Sequence, residues 1–240
     1  MISECFLHCR GIGPRTNEHL KQAGFSTWDD CIRGSETLPL GGKKRKSFID
    51  DIMMSKEAHE SGDINFFLTR LPTSEHWRIL SLYHDRATYF DIETTGLSWG
   101  YSHASVIAAY KDGEVHRFVY GENLDDFLLL LDASTMLVSF NGNCFDVPFI
   151  EKTFNIPSIG RPHLDLRWVA YHQGYRGGLK AIEREIGISR PEAIRDVDGL
   201  EAVELYYRWQ AGDMDAREKL IEYCSADAVS TYQLAMRLLG

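Results

Sequence analysis

From Ala87 onward the apolar residues of the chain change period. Thr88-Tyr89-Phe90-Asp91-Ile92-Glu93 and Ala104 to Tyr110 read as strands. Asp112-Gly113 is a hairpin signal, and Glu114 to Tyr120 pairs back as a third strand. Residues 122–132 place Leu124, Phe127, Leu128 and Leu131 at helical spacing. Met136 to Phe140 reads as a short buried strand, Asn143 to Phe154 as a helix, and His163 to Leu166 as a further strand. The remainder is largely helical and ends in a long helix over about 215–238, whose stripe Leu220, Cys224, Ala228 and Ala235 is suited to docking on a sheet. Three meandering strands followed by alternating helix and strand predict an α/β domain, a mixed β-sheet flanked by helices.

Before residue 87 the pattern is helical and punctuated by glycine. Arg10-Gly11-Ile12-Gly13-Pro14-Arg15 precedes a short helix with Leu20 and Ala23 on its apolar side and Gly24 as its stop. Leu38-Pro39-Leu40-Gly41-Gly42-Lys43 leads into Ser47-Phe48-Ile49. The two stretches resemble helix-hairpin-helix modules, although Leu40 stands where the second copy needs its first glycine. The resemblance implies phosphate contact by Gly11, Gly13, Lys43, Lys44, Arg45 and Lys46, since free backbone N–H groups at a helix start, reinforced by cations, bind phosphate without reading sequence. A solvated charge run beside two ordinary turns is the alternative. Leu71-Pro72-Thr73-Ser74-Glu75 starts another helix, with Trp77 and Leu80 on its buried side. The expected organisation is a helical domain over 1–60, connecting helices over 61–86 and the α/β domain over 87–240.

The net charge of −9 opposes a nucleic-acid partner until it is partitioned. Residues 1–60 are neutral, so all the excess acid lies in 61–240. An acidic domain that handles a polyanion needs metal ions in its site and cations elsewhere. The longest apolar run, Phe127 to Leu131, falls far short of the roughly 20 residues that span a bilayer. Residues 1–15 carry charges and lack a signal-peptide apolar stretch, so no membrane association is expected and a cytoplasmic location is. Cys5, Cys9, Cys31, Cys144 and Cys224 include no Cys-x-x-Cys pair and read as reduced thiols. A zinc or iron–sulfur site at Cys5, Cys9, Cys31 and His8 is the alternative. The sequence says nothing about oligomeric state.

Candidate chemistry lies with the acids. Asp91 and Glu93 are two apart on a strand and leave the same face, where a divalent ion would relieve their repulsion. A strand end meeting solvent would explain them equally. Tyr223 and Asp227 are one turn apart on the last helix and share a face. Asp146, in Asn141-Gly142-Asn143-Cys144-Phe145-Asp146-Val147-Pro148, follows a strand and could equally be a dipole-compensating residue in a first helical turn.

Phe90-Asp91-Ile92-Glu93-Thr94-Thr95-Gly96-Leu97 resembles the first motif of the DEDD exonucleases. Asn141 to Ile150 is similar to the second, as found in the proofreading domain of family B DNA polymerases. Tyr223-Cys224-Ser225-Ala226-Asp227-Ala228 resembles the third in its tyrosine-bearing form, and the order agrees. From about residue 74, including Glu75-His76-Trp77-Arg78 and Gly178-Leu179-Lys180-Ala181-Ile182-Glu183, the chain resembles YprB-like ribonuclease H-like nucleases. The resemblance implies a ribonuclease H-like fold and a two-metal 3′–5′ exonuclease acting on a single-stranded 3′ end of nucleic acid; the helix-hairpin-helix likeness favours DNA over RNA. It implies that Asp91 bridges two Mg²⁺ or Mn²⁺ ions, that Glu93 and Asp227 hold one of them, that Asp146 acts through bound waters and that Tyr223 orients the attacking water. It also puts Thr94, Gly96 and Leu97 beside the terminal nucleotide, and Asn141 and Phe145 either on the scissile strand or in the shaping of their loop. An endonuclease on the same site and a non-catalytic nucleic-acid-binding protein are the other readings.

Weaker candidates complete the set. Trp99-Gly100-Tyr101 is a stacking candidate by position. His163 and Asp165 read as a satisfied buried histidine and a strand-capping aspartate. Arg176 to Lys180 reads as an ordinary loop, with phosphate contact as the alternative. Tyr206, Tyr207 and Trp209 read as helix packing.

Overall fold

The computed structural model describes residues 1–98 and 100–240, which fall into two compact units, Met1–Leu82 and Tyr83–Gly240. Trp99 of the expected stacking triplet lies outside the described residues.

The first unit is helical: α1 (Pro14–Gln22), α2 (Trp28–Arg33), α3 (Gly42–Ser61), α4 (Ile64–Arg70) and most of α5 (Trp77–Tyr83). Gly13 caps α1, with Pro14 at its first position, where the missing N–H costs nothing. Trp28 is the hub: its ring stacks on Phe67 with centroids 6.0 Å apart, and its Nε1 donates to the Cys5 carbonyl at 3.0 Å. Phe67 belongs to the stretch expected as a connector, so the helices over residues 61–82 pack into this unit rather than linking it to the next. The sequence pattern misses this because a short α4 shows only two buried apolar positions, Ile64 and Phe67. Cys5, Cys9 and Cys31 are buried free thiols, His8 pairs with Ser55 at 2.7 Å, and among the described residues these side chains form no metal-binding group.

The second unit is a five-stranded mixed sheet, ordered β3-β2-β1-β4-β5, formed by β1 (Ala87–Thr94), β2 (Ala104–Lys111), β3 (Glu114–Val119), β4 (Met136–Ser139) and β5 (His163–Asp165). β1, β2 and β3 pair antiparallel, with β2 and β3 joined by the tight turn at Asp112-Gly113; β4 and β5 run parallel to β1. Parallel pairing needs a crossover, and α6 (Phe127–Asp132) and α7 (Asp146–Thr153) lie on those connections. Strand alternation sorts the sheet into two faces. Phe90, Ile92, Ile107 and Ala109 join Phe127, Phe149 and Ile150 in one core layer. Val106, Ala108 and Val119 join Leu205, Leu220, Cys224 and Ala228 in the other, under α10 (Gly199–Gln210) and α11 (Met214–Leu239). Each large side chain so buried contributes about 1.5–3 kcal/mol. α8 (Leu166–His172) and α9 (Leu179–Ile186) complete the unit.

Two boundaries differ from expectation. α7 begins at Asp146 rather than near Asn143, because Asn141-Gly142-Asn143 is held in a separate turn. β5 ends at Asp165, whose carboxylate accepts from the Arg167 N–H and so caps α8.

Candidate metal centre

Asp91 and Glu93 face α11, opposite Ala108 and Val106 of β2, because Phe90 and Ile92 claim the other side of β1. The docking stripe of α11 sets the height of its acid: the Cys224 thiol packs within 3.4 Å of the Asp91 carbonyl, and Asp227 lies one turn on. One carboxylate oxygen from each of Asp91, Glu93 and Asp227 falls within 4.8 Å of the others. Asp146 stands outside that triplet, but its side chain lines the same cavity of about 200 Å³, together with Tyr223, Thr94, Leu97, Asn141 and Phe145. Gly96 is not on the wall; its carbonyl accepts the Thr94 hydroxyl at 2.9 Å.

The electrostatics are those of crowded acids. Burial, then the charges of Asp227 and Asp146, holds Asp91 and Glu93 well above the usual carboxylate range. Burial pushes Asp146 up to about 7 and Asp227 up to about 6, the latter restrained by Arg190. Burial and the same acids also raise the Tyr223 phenol, so it stays protonated at neutral pH. Such a group of carboxylates is tolerated only with compensating cations. An all-oxygen donor set suits a hard divalent ion such as Mg²⁺ or Mn²⁺.

Some of the compensation is built in by residues that the sequence pattern does not single out. Buried Arg190 grips Glu183 through Nε and Nη2 at 2.7 and 2.6 Å and donates from Nη2 to Asp227. Lys180 Nζ sits 4.7 Å from the centre of the Tyr223 ring. Glu183 and Lys180 belong to the glycine-led stretch over 178–183, but nothing in their spacing identifies Arg190 as the partner. Tyr207, expected only to pack, donates to the Thr95 carbonyl at 3.2 Å and ties down the loop after β1; Tyr206 and Trp209 pack as expected.

The loop after β4 is equally fixed. Asp165 accepts from the N–H groups of Asn141 and Asn143 at 2.8 and 3.3 Å. His163 bonds Ser139 at 2.8 Å and Asn143 at 2.9 Å, and burial lowers its pKa to about 4. Both residues are structural, as expected. Asn141 takes a left-handed backbone (φ 67°), and a Cβ on Gly142 would lie 1.9 Å from Ser139 Oγ, so the turn demands glycine there.

In the first unit, Gly11 (φ 73°) lies against Lys44, whose Cε is 3.9 Å from where a Gly11 Cβ would be. Lys43 to Lys46 open α3 instead of preceding it. Arg45 donates to the carbonyls of Glu36 and Leu40, while Lys43, Lys44 and Lys46 are exposed.

A family model described as RNase_H superfamily matches residues 88–239. The chain belongs to the RNase_H superfamily. Among solved structures, this superfamily member is similar to the family B DNA polymerase from the hyperthermophilic archaeon Pyrobaculum calidifontis. The TM-score is 0.53 at 19% identity, and the match covers 64% of this chain and 24% of the polymerase. The match thus spans about a quarter of that protein, and the likeness is one of fold. No curated protein matches the sequence. Among the described residues, no helix is long and apolar enough to cross a membrane.

Proposed function

We propose that this RNase_H superfamily member is a metal-dependent 3′–5′ exonuclease that hydrolyses phosphodiester bonds of DNA, or of RNA, at a strand end. The observation that carries the reading is the triplet Asp91, Glu93 and Asp227, with ligand oxygens within 4.8 Å, in a cavity that Asp146 and Tyr223 also line. These four acids hold two divalent ions, Mg²⁺ or Mn²⁺. Bound ions of this kind supply Lewis-acid charge to a phosphodiester and acidity to a water. Tyr223, kept protonated by its surroundings, donates a hydrogen bond that orients the attacking water and does not act as the base. The water oxygen joins phosphorus, the bond to the 3′ oxygen breaks, and a mononucleotide leaves. Thr94 and Leu97 flank the terminal nucleotide from the loop that Tyr207 secures. The polarity follows the three-motif resemblance.

Purified protein with Mn²⁺ and a labelled single strand, blocked at one end or the other, should release mononucleotides from the free 3′ end. Asp91→Ala should abolish release; equal activity in that variant overturns the reading.

Exposed Lys44 beside Gly11, with exposed Lys43 and Lys46 on the same helix start, favours a second reading, a structure-specific endonuclease with the same acids and a duplex-binding first unit. A circular single strand separates the two, because only an endonuclease cuts it.

A further inference from the structure

The acid of this chain is not spread evenly. Residues 61–240 carry all of its net negative charge, yet from Leu166 to Ile182 there is no Asp or Glu, while Arg167, Arg176 and Lys180 are present. Trp168, Tyr171 and Tyr175 are interleaved with those cations. An amphipathic helix on an acidic domain has no packing reason to exclude carboxylates from its solvent face, so the exclusion points to an anionic ligand.

The fold turns this stretch into a cleft. α8, the loop after it and the start of α9 enclose a cavity of about 520 Å³ with Arg167, Tyr171, Tyr175 and Arg176 among its walls. Phe140 and Asn141 line both this cavity and the acid-lined one, so the two are contiguous. The side chains are held in place. Arg176 Nη1 donates to the carbonyls of Tyr171 and Tyr175 at 2.6 and 2.8 Å, and its guanidinium lies 4.0 Å over the Tyr171 ring. Arg167 donates to Asn141 Oδ1 on the shared wall. Tyr171 and Trp168 meet edge to face at 6.1 Å and remain 46% and 38% exposed, an aromatic surface that no part of the second unit covers.

We propose that this cleft is a binding subsite for single-stranded nucleic acid, holding the nucleotides next to the one cut at the acid cluster. The inference rests on the nuclease reading for the role of the neighbouring site. A base stacks on Tyr171, and Arg176 and Arg167 meet the phosphates; each base has a π-face, so the subsite takes strand of any sequence. A duplex, whose bases are already stacked and paired, offers this cleft only its backbone.

The test is equilibrium binding in EDTA, followed by fluorescence anisotropy, of fluorescein-labelled oligonucleotides of two, four and eight nucleotides, as DNA and as RNA. Affinity should rise with length. Tyr171→Ala should bind the octamer at least about fivefold more weakly, with a smaller deficit for the dinucleotide, and Tyr171→Phe should restore the wild-type value. Arg176→Gln should flatten the dependence of log affinity on log salt by about 0.7, the value of one phosphate contact on a single strand. Thermal denaturation confirms that the variants fold. Octamer binding unchanged in both Tyr171→Ala and Arg176→Gln overturns the proposal. Wild-type hydrolysis of the p-nitrophenyl ester of thymidine 5′-phosphate with Mn²⁺, absent in Asp91→Ala, reports on the acid site alone. If the ester is cut but binding ignores Tyr171, the subsite is wrong and the nuclease reading stands. If binding depends on Tyr171 but the ester is inert, the subsite stands without that reading.

Discussion

Arg190 donates to Asp227 from a side chain that also clasps Glu183, so one guanidinium links an acid of the candidate metal centre to an acid outside it. Both Arg190 and Glu183 are buried, with side chains 5% and 3% exposed. A buried ion pair adds little over an apolar pair, but removing one partner strands the other's charge at a cost of about 3–5 kcal/mol. Arg190→Met and Glu183→Gln should each lose stability on that scale in chemical denaturation. The double variant should lose clearly less than the sum of the two. Additive single losses would mean that the two residues do not act as a pair.

Tyr223 is next to the acids and protonated, with Lys180 against its ring. Tyr223→Phe removes the hydroxyl and keeps the ring. Turnover should fall about 10- to 100-fold with KM within about threefold, the pattern of an interaction made mainly in the transition state. A rise in KM at unchanged turnover would assign the tyrosine to substrate binding instead.

The elements were largely legible in the sequence where period decides them. β1 to β3, their hairpin and α11 follow from alternation and from the stripe at Leu220, Cys224 and Ala228. The same alternation put Asp91 with Glu93, and helical spacing put Tyr223 with Asp227. That Asp227 meets Asp91 and Glu93, with ligand oxygens within 4.8 Å, depends on how α11 lies across β1 and β2, which no local pattern encodes. Motif resemblance supplied the juxtaposition. The link from Arg190 to Asp227 and the bond from Tyr207 to Thr95 escaped notice because the partners are 37 and 112 residues apart in sequence. Phe67, in the stretch expected to connect, stacks on Trp28 from a different stretch of chain, a contact that local period does not encode.

Protonation opposes cation binding at this site in a definite direction. Burial raises Asp146 to about 7 and Asp227 to about 6, and it holds Asp91 and Glu93 higher than ordinary carboxylates. For a carboxylate raised on folding, stability is fully present below its unfolded pKa of about 4 and is lost as pH rises through the folded value. The metal-free site is therefore most strained above pH 7, and that strain is what a cation relieves. Mn²⁺ should raise the melting temperature more at pH 7.5 than at pH 5, and at pH 6 its binding should release at least about one proton. Calorimetry in buffers of different ionisation enthalpy measures the release. No proton release at pH 6 would mean that the acids are already ionised in the free protein.

Gly142 makes the last prediction, one that separates the loop after β4 from the acids themselves. A methyl group there would meet Ser139 Oγ at 1.9 Å and Ser139 Cβ at 2.9 Å, and neither atom can retreat, since Ser139 is buried and its hydroxyl is bonded to His163. The loop must move instead, taking with it Asn141, which is anchored to Asp165, and Asp146, which opens α7. Overpacking of this kind costs about 1–3 kcal/mol. Gly142→Ala should show that loss in thermal or chemical denaturation and should also lower nuclease turnover. Its Mn²⁺ affinity should fall less than that of Asp91→Ala, because Asp91, Glu93 and Asp227 stand on β1 and α11, away from the strained turn. A Gly142→Ala protein that loses Mn²⁺ affinity as completely as Asp91→Ala would place Asp146 on a par with the triplet in holding the ion.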